Sequence, residues 1–260
     1  MPEDPLSSST SNLLGSLIGA IVGQMSAGPE GAITGAIVGP AIEETAKQLL
    51  AKLYGRRSRD RINTALKHAT LAIQVNKDAG LPIRTDSFWE SRGGFPPAAQ
   101  EVFEAVLIAA QQEPEERKIP YMGNLFASIA CHPEIPPSAA HWLIRTAESL
   151  SWTQFQLLAV VGRIDQLEVE GMKVGQAAQN WDSHALHKGL SDLGLGGGYL
   201  VHAGYETTPN GIQVPSSKLA KHKLQNLGFL LHMALGLEQV PLKDLEDVVN
   251  RMRKPEVEAY

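Results

Sequence analysis

The 260-residue chain has one cysteine, Cys131, so an internal disulfide is excluded and a reducing compartment is expected. It also lacks an excess of positive charge. A formal net charge of -5 argues against constitutive nucleic-acid binding and makes any affinity for phosphate or lipid headgroups a local property. The N-terminal Met1-Pro2-Glu3-Asp4-Pro5 is acidic where a secretory signal needs basic residues, so export is not expected. No run reaches the roughly 18 apolar residues of a simple spanning helix. Ser16, Gln24, Ser26 and Gly28-Pro29-Glu30 interrupt the one candidate. The expected location is the cytoplasm, with recruitment to the inner membrane as a conditional step.

Catalytic and metal-binding patterns are missing as well. Cys131 and His132 are adjacent, and neighbours on a helix point about 100° apart, which does not suit a nucleophile and its base. A buried structural cysteine is the better reading. Arg61 and His68 have the Arg-to-His spacing of HEPN-type ribonucleases, but apolar Ile62 follows the arginine where that family has a polar residue. Asp182, His184 and His187 lack the cysteine partner or glutamate-bearing motif of a zinc site. Gly194-Leu-Gly196-Gly197-Gly198-Tyr199 puts tyrosine where a dinucleotide-binding loop needs its last glycine, and it reads as a helix stop and wing turn. No enzyme activity, metal or cofactor is expected.

What the chain does have is a repeat. Gly15-Ser-Leu-Ile-Gly19-Ala-Ile-Val-Gly23 recurs sixteen residues later as Gly31-Ala-Ile-Thr-Gly35-Ala-Ile-Val-Gly39. Four residues advance a helix by slightly more than one turn, so Gly15, Gly19, Gly23, Ala27, Gly31, Gly35 and Gly39 form one small-residue stripe on an otherwise apolar rod. Gly28-Pro29 breaks this rod into a helical hairpin, and Pro40 opens a further helix. Six helical glycines cost about 6 kcal/mol relative to alanine, which close packing must offset. Such packing is found where helices associate in membranes, and a soluble bundle can use the same stripe, so both readings stay open. Lys52, Arg56, Arg57, Arg59 and Arg61 follow the apolar segment, where they suit an anionic headgroup surface or a solvated helix face.

Hydrophobic spacing predicts a mainly α-helical fold. Residues 1 to 12 are Ser/Pro-rich and expected to be disordered, and 13 to 54 carry the glycine-zipper hairpin and helix. Residues 55 to 149 form a helical bundle, with helices over 62 to 79 and near 98 to 112, 120 to 131 and 137 to 149. The loop between the first two carries Phe88-Trp89, which reads as exposed. Ser151-Trp-Thr-Gln154 has the form of a capping box, so a helix is expected from there to about Leu167, with a domain boundary just before it. In residues 150 to 254, helix, two-stranded ribbon, helix is the order of a winged-helix-like module, with strands at 199 to 203 and 211 to 214 around Pro209-Asn210. The expected recognition helix offers Lys188, and Lys218, Lys221, His222 and Lys223 are expected on the next helix. These lysines are the candidate contacts to a protein partner or, on a second reading, to DNA.

Three stretches carry a family resemblance: Glu115-Glu-Arg-Lys-Ile-Pro-Tyr-Met-Gly-Asn-Leu-Phe-Ala-Ser-Ile-Ala130, Leu150-Ser-Trp-Thr-Gln-Phe-Gln-Leu-Leu158 and Thr208-Pro-Asn-Gly211. Residues 100 to 250 resemble bacterial proteins of the abortive-infection alpha family. The zipper separately resembles the N-terminal segments of HeLo- and Bell-type cell-death effectors, whose apolar helix enters a membrane after activation. Together these resemblances imply a homo-oligomeric, membrane-damaging anti-phage effector released by a protein trigger. The alternative is a soluble winged-helix interaction or DNA-binding regulator whose glycine stripe only packs a core.

Overall fold

In the computed structural model the described residues are 55–91, 93–174, 181–195 and 199–253. The glycine zipper and Lys52 lie outside them. The described chain is mainly helical and forms two compact units that meet in sequence between Ser149 and Leu150.

The first unit contains α1 (Arg56–Asp78), α2 (Ala98–Gln112), α3 (Ile119–Cys131) and α4 (Pro137–Ser149). Helix α1 buries Ile62, Leu66, Ala69 and Ile73 at helical spacing against α3, while α2 packs on α1, α3 and α4. The crossing of α1 and α3 is tight because Gly123 carries no side chain: a Cβ there would stand 2.3 Å from the Ala65 carbonyl oxygen and 2.9 Å from the Ala69 nitrogen. Helix α1 begins earlier than the expected residue 62, taking in the basic run from Arg56 to Arg61, which supplies its first two turns.

Phe88 and Trp89 are buried, at 2% and 1% exposure, which corrects their reading as an exposed pair. They form a short 3-10 turn that packs on α2, their rings edge to face with centroids 5.2 Å apart. Arg84 explains how these two aromatic residues are held inward from an otherwise largely exposed loop. Its guanidinium makes two hydrogen bonds to Asp86, of 2.8 and 2.6 Å, and also donates to the carbonyls of His132, Pro133 and Ile135 just beyond α3. The same group lies 4.4 Å from the Phe88 ring centre, and the Arg84 carbonyl accepts the Trp89 indole N–H at 2.7 Å. A second buried cation, Lys118, pairs with Glu113 at 2.5 Å and donates to the Glu148 carbonyl.

The second unit opens with α5 (Trp152–Gly162), and the capping box expected at its start is formed: Ser151 Oγ accepts the Gln154 N–H, and the Gln154 side chain accepts the Ser151 N–H. The helix ends at Gly162, earlier than expected, and a single 3-10 turn follows. Next come α6 (Trp181–Leu195), β1 (Val201–Ala203), β2 (Tyr205–Thr207), β3 (Gln213–Pro215), β4 (His222–Leu224), α7 (Asn226–Leu235) and α8 (Leu242–Met252). Helix α5 is the hub, touching α6, α7, α8 and β4.

The expected single ribbon is two short antiparallel ladders on one bent hairpin. β1 pairs with β4, Val201 opposite Leu224, and β2 pairs with β3, Tyr205 opposite Pro215. Gly204 marks the bend: its N–H donates to Lys221 and its carbonyl accepts from Ser216, with the intervening residues looped out. Periodicity could not reveal this, because the two ladders are only three residues each. The looped residues bond residues 172–174, with Val174 donating to Ser217 and Leu219 to Met172. The cationic group is thus not helical, as the sequence suggested. Lys218 precedes a 3-10 turn that ends at Lys221, and His222 and Lys223 stand on β4.

Candidate interaction surface and pocket of the C-terminal unit

Helix α6 exposes one face of mixed character. Trp181 at its first position is 88% exposed, and its ring meets the His184 ring edge to face. Asp182 is tied to α8 by two hydrogen bonds from Arg251, the longer 2.8 Å, and the guanidinium holds its carboxyl below the usual carboxylate range. His187 is buried toward the backbone of Met252, and burial lowers its pKa. The three residues considered as metal ligands thus each have a different surrounding. No group of three or more histidine, cysteine or acidic side chains able to hold a metal occurs among the described residues.

Two carboxylates, Asp192 and Glu206, face three of the four candidate lysines. Lys188 Nζ contacts both carboxylate oxygens of Asp192, one turn on, at 2.8 and 2.6 Å. Glu206 Oε1 lies 3.4 Å from Lys218 Nζ and 3.9 Å from Lys221 Nζ. A 2.7 Å hydrogen bond from Ser216, followed by these lysines, keeps Glu206 below the ordinary glutamate pKa. Lys223 is exposed on β4 opposite His202.

In the first unit, the arginines of α1 meet acid too. Arg56 is 3.9 Å from Asp60, Arg57 Nε donates to Glu116 Oε1 at 2.6 Å, and Arg59 lies partly exposed on the same helix. Arg61 is 12% exposed, bonding the Gln111 carbonyl and facing Glu116 at 3.4 Å. His68, two turns along, has its pKa lowered by burial and then by Lys67. Cys131 is buried with its thiol pushed up by desolvation, while His132 Nδ1 pairs with Glu134 at 2.6 Å.

Sequence reading missed a cavity of about 440 Å³ in the second unit, between the inner face of α6 and the bent hairpin. Leu190, Val174 and Val201 supply apolar wall, while Ser191, Gln225 and His222 supply hydrogen-bonding groups. His222 Nδ1 lies 3.0 Å from the Lys218 carbonyl, and burial lowers the ring's pKa, so the ring is neutral with Nδ1 as donor and Nε2 as acceptor. Two tyrosines line the open side, Tyr199 at 72% exposure and Tyr205 at 55%. Tyr205 packs against the His202 ring, centroids 5.1 Å apart. Tyr199 has φ 44°, the only positive value at a non-glycine residue among the described residues, a conformation that costs on the order of 1 kcal/mol or more. A sequence signal existed in the two tyrosines around the Gly204 bend, but only the pairing of β1 with β4 brings His222 and Gln225 to them.

No family model matches the chain, and neither curated proteins nor solved structures give a match.

Proposed function

We propose that this protein is a non-enzymatic effector of abortive-infection-type antiviral defence in bacteria. On activation its glycine-zipper segment inserts and oligomerises in the inner membrane, and its C-terminal unit receives the trigger. The repeat from Gly15 to Gly39 carries this reading: a nine-residue segment that recurs sixteen residues later, with glycine at every fourth position of both copies, is best accounted for by helix-to-helix contact along one stripe. Among the described residues no helix is long and apolar enough to cross a membrane, so the proposed insertion rests on residues 13 to 54.

The C-terminal unit supports a receiving role. Helix α5, the short extended pairing at 172–174, helix α6 and the hairpin with its turn at 208–211 follow one another in winged-helix order. On this reading α6 is the recognition helix. Its one lysine is paired with Asp192, and Lys218 and Lys221 share Glu206, which leaves little free positive charge for a phosphate backbone. The exposed Trp181 suits a protein partner instead.

The test is expression of the full chain in bacteria beside Gly19→Leu plus Gly35→Leu, following growth and entry of a membrane-impermeant dye. Arrest with dye entry for the parent, lost in the double variant at equal protein level, is the expected result. Toxicity that survives both substitutions would sink the proposal. If the purified parent fails to float with anionic liposomes and instead binds duplex DNA in a manner weakened by Lys218→Ala plus Lys221→Ala, the regulatory reading replaces it.

A further inference from the structure

We propose that the cavity between α6 and the bent hairpin is a binding site for an uncharged, planar heteroaromatic molecule of about nucleobase size. The inference does not depend on the membrane reading, because every residue it uses lies within the C-terminal unit.

Size comes first. A volume of about 440 Å³ falls within the roughly 300 to 1,000 Å³ range of small-molecule sites and is larger than a packing defect between an α-helix and a ribbon. Charge comes second. None of the described residues lining it is lysine, arginine, aspartate or glutamate, even though Lys218, Lys221 and Glu206 lie close by and satisfy one another outside it. An ionised ligand would surrender its hydration without a partner, whereas a neutral one would not.

Shape and polarity decide the class. The phenol rings of Tyr199 and Tyr205 flank the opening while remaining largely in water, which places flat apolar faces where a planar ring can stack. Ser191, Gln225 and His222, which also line it, offer both donors and acceptors, a set that an all-carbon ring cannot satisfy and a heterocycle can. The left-handed backbone at Tyr199 supplies an independent sign. A bulky aromatic residue held in a conformation better suited to glycine or asparagine, with its ring mostly exposed, is poorly explained by packing alone and is accounted for by a ring that meets a ligand.

The experiment is saturation-transfer NMR on the full chain with adenine, uracil and nicotinamide as separate probes and benzoate as the anionic planar control. Binding of at least one neutral heterocycle and none of benzoate is expected. Tyr199→Ala and Tyr205→Ala should each weaken that binding by about tenfold or more, the scale of losing one stacking partner. Both positions are mostly exposed, so unchanged thermal unfolding will show that the fold persists. Ala203→Phe, which fills the cavity from β1, should abolish binding. The proposal is overturned if none of the three heterocycles binds, if binding is indifferent to both tyrosine substitutions, or if only a single-stranded oligonucleotide binds and free bases do not.

Discussion

Gly123 and Ala65 touch through their backbones: the space that a Cβ on Gly123 would occupy is 2.3 Å from the Ala65 carbonyl oxygen. That oxygen belongs to α1 and cannot turn aside as a side-chain tip can, so the two helices approach only because position 123 is glycine.

Two effects oppose each other in Gly123→Ala. Helix propensity favours alanine by about 1 kcal/mol. Forcing a methyl against fixed backbone costs about 3 kcal/mol, so the variant should be less stable by about 2 kcal/mol. Urea unfolding of the full chain measures this. Gly189→Ala on α6 is the comparison, because its Cβ would meet only side-chain atoms, Leu157 Cδ1 at 3.1 Å and Gln154 Cγ at 3.7 Å, and it should change stability by less than about 1 kcal/mol. Equal effects at the two glycines would show that the α1–α3 crossing is not tight.

Arg84 holds the buried Phe88–Trp89 turn to the end of α3. Lysine keeps the charge but cannot bond Asp86 twice while reaching three carbonyls, so Arg84→Lys should destabilise by about 3 kcal/mol. Loss of the Phe88–Trp89 packing should accompany it as a red-shifted tryptophan emission. The arginine's hydrogen bonds hold Asp86 below the usual aspartate pKa, so its contribution is fully present above the ordinary carboxylate range and is lost as pH falls through the depressed value. An Arg84→Lys protein as stable as the parent would refute this role.

His232 predicts a second acid sensitivity, in a higher window. Its ring lies against Gly162, where a Cβ would be 2.5 Å from Nε2, and that buried nitrogen has no hydrogen-bond partner among the described residues. Burial first, then the nearby Arg163, lowers its pKa from 6.5 to about 4. The unfolded chain therefore takes up a proton below about pH 6.5 while the folded one does not, and stability should decline from there toward pH 4, by up to about 3 kcal/mol. His232→Gln should flatten that part of the profile in urea midpoints taken across the range. An unchanged slope would assign it to other groups.

Much of the helical framework was legible residue by residue. Ile62, Leu66, Ala69 and Ile73 recur at helical spacing and form the buried face of α1, and Ser151 with Gln154 announced the cap of α5. Pro120 and Pro137 sit within the first turns of α3 and α4, the positions where proline's missing N–H costs nothing. These signals are local, because a helix satisfies its backbone within four residues. The Phe88–Trp89 pair was misread for the converse reason: composition says loop, and nothing nearby says that Arg84 will turn inward and bond carbonyls some fifty residues away.

Sequence alone determined the glycine repeat, the single thiol, the acidic balance and the spacing of the helices, since each depends on residue identity or on contacts one turn apart. Tertiary structure decided which lysines meet Glu206, which backbones meet at Gly123, and that two tyrosines, His222 and Gln225 share one cavity. Each of these joins residues brought together only when short strands and helices pack, and three-residue ladders have too little pattern of their own to foretell their partners.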